Sequence, residues 1–176
     1  MKKLIALLAL LCVVLMPFSA MAEEPATLNW EDSEALLADS ELTGEFYSLS
    51  DMGLKIWLPE GLNVVDITEE EAAAGCYTKM TDEEQSCVFS IYAVHVDGMT
   101  LEQAYQNAVD NGMKEPEIDI INGIYAVSYE SEETNEGAIV LVDTNSNLII
   151  FTFSPFNDDL GRLLFYIIGS SIMPLE

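Results

Sequence analysis

The sequence predicts an α+β domain, a mostly antiparallel meander sheet with helices packed on it. Three observations predict this class. Apolar segments of strand length come in pairs joined by short, turn-rich links, which suit antiparallel neighbours and are too short for parallel ones. Segments with a 3.6-residue apolar period stand apart from those pairs, near the start, middle and end of the chain. The length, 176 residues, fits one domain able to bury a core.

Residues 1–22 have the three parts of a secretory signal. Lys2 and Lys3 form the charged start, Leu4 to Met16 the apolar stretch, and Ala20-Met21-Ala22 a small-residue cleavage site. A helix over Leu4 to Met16 would span about 20 Å, short of the roughly 30 Å hydrocarbon core, so cleavage after Ala22 is expected rather than an anchor. Cys12 follows Leu11, which is too large for a lipoprotein cleavage site. The expected product is a secreted or extracytoplasmic single domain over residues 23–176, with no stable membrane insertion.

In that domain Trp30, Leu36, Leu37 and Ala38 mark a first helix, ended by Leu42-Thr43-Gly44. Residues 45–49 and 54–58 flank a Ser/Asp/Gly turn and read as a hairpin. Pro59-Glu60-Gly61 breaks the second strand, which resumes at Leu62 to Val65. Thr68 with Glu71 is a capping box opening a short helix, closed by Gly75. Cys76 to Met80 and Cys87 to Val96 follow as strands. A hairpin symmetric about Thr81 and Asp82 would set Cys76 opposite Cys87, within disulfide reach. In an exported chain an even pair reads as a disulfide, the alternative being two buried free thiols.

Thr100 and Gln103 form a second capping box, and Leu101, Ala104, Tyr105, Ala108 and Val109 continue its helix to Gly112. Asn122-Gly123 between two apolar runs signals a hairpin, because a type I′ turn needs φ > 0 at both central residues. Residues 138–142 and 148–153 form another pair. Leu160, Leu163, Leu164, Ile167 and Ile168 then share a helical face behind Asn157 as N-cap.

The pattern resembles the PsbP-like (Mog-type) α/β/α sandwich over residues 45–173. The resemblance rests on Leu58-Pro59-Glu60-Gly61-Leu62, Met99-Thr100-Leu101-Glu102, Asn122-Gly123-Ile124-Tyr125-Ala126 and Ser170-Ser171-Ile172. It departs at Leu62, where the turn of that fold often carries Trp. Small exported proteins of this shape from Gram-positive gut bacteria are similar. The resemblance implies a binding or accessory protein rather than an enzyme, and it carries over no functional residue.

Charge narrows the partners. The chain has 31 acidic residues against 6 basic ones, a formal −25. Loss of Lys2 and Lys3 leaves Lys55, Lys79, Lys114 and Arg162, and a formal −27. Phosphate contacts need cations, so nucleic acid and anionic membranes are excluded as natural partners. A peptide, a glycan or a cation remains.

The residues that could carry chemistry are few. His95, the one histidine, has no accompanying nucleophile, zinc or P-loop motif and reads as a strand-surface residue. No cofactor motif is present. Asp143-x-Asn145-x-Asn147 opens like a calcium loop, but Leu148 and Ser154 occupy the positions of its Gly and Glu, so a polar turn accounts for it as well. Trp57, Tyr77, Tyr92, Tyr125 and Tyr129 fall on strands and would form either core or an exposed binding row. The expectation is an exported, non-enzymatic binding or accessory domain. The alternatives are a secreted hydrolase using a carboxylate pair and a weak extracellular Ca2+-binding module.

Overall fold

The computed structural model describes residues 25–38, 42–157 and 159–175. The expected leader, residues 1–22, lies outside the described residues. The strands are β1 (Ala26–Leu28), β2 (Gly44–Leu49), β3 (Leu54–Pro59), β4 (Asn63–Val65), β5 (Cys76–Thr81), β6 (Val88–His95), β7 (Lys114–Ile121), β8 (Ile124–Ser131), β9 (Glu136–Val142), β10 (Asn147–Ser154) and β11 (Met173–Pro174). The helices are α1 (Trp30–Ala38), α2 (Glu69–Ala73), α3 (Leu101–Asp110) and α4 (Asp159–Ser170).

The mixed α+β class and its mostly antiparallel pairing hold, but the sheet is not one meander. An eight-stranded sheet runs β1-β7-β8-β9-β10-β6-β5-β4, and a separate three-stranded sheet runs β11-β3-β2. The predicted first hairpin, β2–β3, thus belongs to a second layer. Short β1 adds a parallel edge, Ala26 to Leu28 beside Asp119 to Ile121. The crossover through α3 carries the chain from β6 to β7, so β6 meets β10 and β5 rather than β7.

Alternation along each strand sorts the layers. One face of the large sheet presents Met80, Phe89, Ile91, Ile139, Phe151 and Phe153, all buried. Against it lie the small sheet, through Leu49, Leu54, Ile56 and Leu58, and α4, through Ile168. The other face buries Val127 and Val140 where α3 crosses β7, β8 and β9. Gly169 lets α4 close on the sheet: a Cβ there would stand 2.5 Å from Ile139 Cδ1.

Both capping boxes form. Thr68 Oγ1 accepts from Glu71 N at 3.1 Å while Glu71 Oε2 accepts from Thr68 N at 2.8 Å. Thr100 and Gln103 do the same for α3 at 3.2 and 2.9 Å. Two helical faces turn out otherwise than expected. In α1 the buried residue is Ser33, whose Oγ meets Ser170 Oγ at 2.6 Å, while Leu36 is 51% exposed. In α4 Ile167 and Ile168 are buried but Leu160 and Leu163 are exposed. The N-cap expected of Asn157 adjoins residue 158, which lies outside the described residues.

The disulfide expectation is corrected. Thr81 pairs with Val88 and Met80 with Phe89, so the β5–β6 link is the loop 82–87 rather than a turn centred on Thr81 and Asp82. Cys76 faces Tyr92 across a bulge, at the far end of the hairpin from Cys87, and both are free thiols. Asp82 sets this register by folding the loop onto itself: its Oδ1 accepts from Ser86 N at 2.6 Å and Cys87 N at 3.0 Å.

Asn122 ties the layers together. It sits at φ 47° in the β7–β8 turn, with Gly123 at 83°, as the type I′ reading requires. Its Oδ1 accepts from Trp30 N at 2.9 Å at the start of α1. Its Nδ2 donates to the carbonyls of Ser170 at 2.6 Å and Ile172 at 2.8 Å, where α4 ends and β11 begins. One side chain thereby joins β1–α1, the β7–β8 hairpin and the C-terminal segment. Asn122→Ala should lower stability by about 2–4 kcal/mol, since it strands three partly buried backbone groups. Asn122→Asp should be at least as damaging, because a carboxylate cannot donate to two carbonyls. Urea unfolding of residues 23–176 measures both; an Asp variant near wild-type stability would show that the two donated bonds carry little.

Candidate binding cleft

The turn from Pro59 to Leu62 carries the chain from the small sheet to the edge of the large one. Pro59 stands at the end of β3 opposite Gly44, and Gly61 takes φ 96°, open to glycine at no steric cost. Thr43 pins the turn: its carbonyl accepts from Glu60 N at 2.8 Å and its hydroxyl donates to Glu60 Oε2 at 2.7 Å. Gly44 can be no other residue, since a Cβ there would lie 2.2 Å from the Leu58 carbonyl oxygen and 2.4 Å from the Trp57 ring.

Two cavities open on either side of this turn. The first, about 500 Å³, lies between β2–β3 and β4–β5 and is lined by Glu45, Tyr47, Leu58, Leu62, Val64 and Met80. The second, about 480 Å³, runs toward α4 and is lined by Leu62, Cys87, Phe153, Leu160 and Leu164, with Asp82 at its rim. Val64 is 62% exposed although it stands in register with buried Met80. The small sheet therefore stops short of the large sheet's β4 edge, and the cleft is the uncovered strip.

The residues singled out from the sequence lie largely elsewhere. Tyr125 on β8 and Tyr77 on β5 are both exposed, but β9, β10 and β6 separate them by about 19 Å. Trp57 is buried beside Trp30, ring centroids 6.0 Å apart. No continuous aromatic row forms from these five residues. Tyr77 instead donates its hydroxyl to Asp51 Oδ2 at 3.0 Å, bridging β5 to the turn of the β2–β3 hairpin.

Asp143, Asn145 and Asn147 do come together, as a self-satisfied turn. Asp143 Oδ1 accepts from the backbone of Asn145 at 2.7 Å and of Asn147 at 2.9 Å, and Oδ2 from Asn147 Nδ2 at 2.7 Å. Partial burial pushes this carboxyl up, and the hydrogen bonds from Asn147 and Asn145 outweigh it, holding it below the usual carboxylate range. Among the described residues no group of three His, Cys, Asp or Glu side chains could hold a metal ion. His95 bonds Asp97 through Nε2 at 2.9 Å and Asn147 through Nδ1 at 3.0 Å, and both partners raise its pKa. It is exposed and lies at the end of β6, away from the cleft residues.

The buried carboxylate of Asp119 meets the Ser128 hydroxyl at 2.5 Å rather than a second acid. Burial raises the thiol pKa of both Cys76 and Cys87, the opposite of activation. All four cations of the described residues are engaged. Lys79 pairs with Glu71 at 2.7 Å and Lys114 with Glu130 at 3.0 Å. Lys55 lies over the Phe46 ring at 5.5 Å and Arg162 over Phe156 at 5.4 Å. The sequence reading missed Phe46, Tyr47 and Val64 as surface residues. The consecutive Phe46-Tyr47 was a signal for them, since alternation must send one ring outward.

No protein family and no curated protein matches the sequence. The structure is similar to cyanobacterial PsbP (CyanoP) from Synechocystis sp. PCC 6803, with a TM-score of 0.55 at 19% identity over 75% of this chain and 92% of that one. It is also similar to the Saccharomyces cerevisiae Ran-binding protein Mog1p, with a TM-score of 0.45 at 10% identity over 77% of this chain and 97% of that one. The likeness to CyanoP defines the class, an α+β sandwich of PsbP-like fold. At this identity it speaks to fold alone.

Lys79 and the capping-box bonds from Thr68 hold the Glu71 carboxyl down to about 2, against 4.5 ordinarily. A depressed carboxyl stabilises fully above its unfolded value and loses that contribution as pH falls toward the folded one. Carboxyl-carbon NMR should therefore show Glu71 titrating near pH 2 in the folded protein. Lys79→Met should move the midpoint up toward 4.5, and a wild-type midpoint near 4.5 would contradict the bridge between α2 and β5.

Proposed function

We propose that this chain is an exported, non-enzymatic binding or accessory domain, and that the cleft around Pro59 to Leu62 receives its ligand. The observation that carries the reading is the pair of cavities sharing that turn, the second chiefly apolar and the first of mixed lining, bordered by Glu45, Glu60 and Asp82. This is the arrangement of a recognition site, an apolar concavity with a few polar groups at its margin. The signal-like segment over residues 1–22 supports the export part of the reading. Among the described residues every Lys and Arg is already engaged, which makes an anionic ligand a poor fit.

The test uses a neutral apolar dye, Nile red, with residues 23–176. Its emission should rise and shift to the blue on binding. Leu160→Glu and Val64→Glu should each weaken that response several-fold at unchanged melting temperature, because both side chains are exposed at the cleft margin. A response indifferent to both variants would place the binding surface elsewhere. Expression of the full chain in a secreting host should give a mature product whose mass begins at Glu23. A retained N-terminus would overturn the export reading.

A further inference from the structure

We propose that the ligand of this cleft is an extended segment of a basic polypeptide, which adds to the small sheet as a fourth strand beside β2. The inference rests on the cleft reading above and names the class of partner.

The backbone of β2 makes the case. The Glu60 N to Thr43 carbonyl bond marks that pair as hydrogen-bonded, and antiparallel pairs alternate. Glu45–Leu58 and Tyr47–Ile56 are then bonded pairs, whereas Gly44–Pro59 and Phe46–Trp57 are not. The partners agree: Pro59 has no N–H to give, and Trp57 N turns away from β2 to donate to Ser171 Oγ at 2.8 Å. The N–H and C=O groups of Gly44, Phe46 and Ser48 therefore point outward from an edge at which the small sheet ends. Edges of this kind are usually blunted by a proline, a bulge or several charges. This one has only Glu45, and all its residues from Gly44 to Ser48 are exposed.

The neighbourhood selects the guest. Glu45, Tyr47 and Leu49 lie on the inner face of β2, with Leu49 in the core and the other two lining the first cavity. A strand placed about 4.8 Å beyond β2 would roof that cavity and bring its inward side chains over Val64 and Leu62. Those side chains are apolar by the character of what they cover. Charge settles the remainder. Glu45 and Glu60 border the cleft, the chain carries a formal −25, and every cation of the described residues is already engaged. A second copy of the chain would bring the same excess of negative charge to the edge, so a basic partner is favoured over self-association.

The experiment titrates residues 23–176 with a capped seven-residue peptide of alternating valine and threonine bearing a lysine at each end. A copy with glutamate ends and a copy N-methylated at alternate amides serve as controls. The lysine peptide should bind, and the other two should bind at least tenfold more weakly. Phe46→Pro, which removes an outward N–H without breaking the β2–β3 ladder, should weaken binding about tenfold. Equal binding of the N-methylated copy would mean attraction by charge without strand addition, and would overturn the proposal even if Phe46→Pro proved unstable. Equal binding of the glutamate peptide would overturn the choice of a basic partner. If no peptide binds while Nile red still enters, strand addition is wrong and the cleft reading survives. If the dye is excluded too, both fall. Dimerisation in sedimentation that Phe46→Pro abolishes would make the occupant a second copy and overturn the basic-segment proposal.

Discussion

The hydrogen bonds of Asn122 are the constraint on which the sandwich depends. An eight-stranded and a three-stranded sheet have no ladder in common, so burial alone must hold them face to face, and burial is indifferent to small rotations. Asn122 removes that freedom at one edge. It binds the start of α1 and the two carbonyls that bracket Ser171, whose own hydroxyl accepts from Trp57 N in β3. The buried Ser33–Ser170 contact adds a further polar point between α1 and α4. Directional bonds between partly buried groups fix register where apolar packing cannot.

Being tied at one edge leaves the other free to differ. The small sheet is anchored through β11 and β3 on the Asn122 side and simply ends at β2 on the other. The large sheet goes on beneath it through β5 and β4. The mismatch in strand number produces the cleft, and the Pro59 to Leu62 turn, which must climb between layers there, divides it into two cavities. Tyr77 and Asp51 make a polar contact between the layers nearby. Among the described residues few other polar contacts join the layers on this side, so an added strand meets an existing gap.

Much of the fold was legible in the sequence because it is written in local chemistry. Thr68/Glu71 and Thr100/Gln103 need only a three-residue spacing to define a helix start, and both boxes form as read. Asn122-Gly123 declares its turn through the positive φ values that both residues tolerate well. The errors fall where the deciding interaction is distant or the pattern symmetric. The β5–β6 register depends on Asp82 capping its own loop, which shifts the hairpin and separates Cys76 from Cys87. The division into two sheets depends on the Pro59 to Leu62 turn carrying the chain from one layer to the other, which no short-range signal in β2 or β3 reveals. Ser33 is buried because Ser170, 137 residues away, supplies its partner. The cleft was hidden for the same reason, since it exists only between layers. Its turn was nonetheless visible in Pro59-Glu60-Gly61.

The central claim is that β2 is an open edge beside an uncovered strip of the large sheet. Amide hydrogen exchange on the free domain, resolved by NMR, tests it most directly. Tyr47, bonded to Ile56, should be protected as part of the β2–β3 ladder, while its neighbours Phe46 and Ser48 exchange at nearly the rate of an unstructured chain. Protection of Phe46 and Ser48 equal to that of Tyr47 would mean that the edge is already paired, and the cleft would lose its vacant strand position.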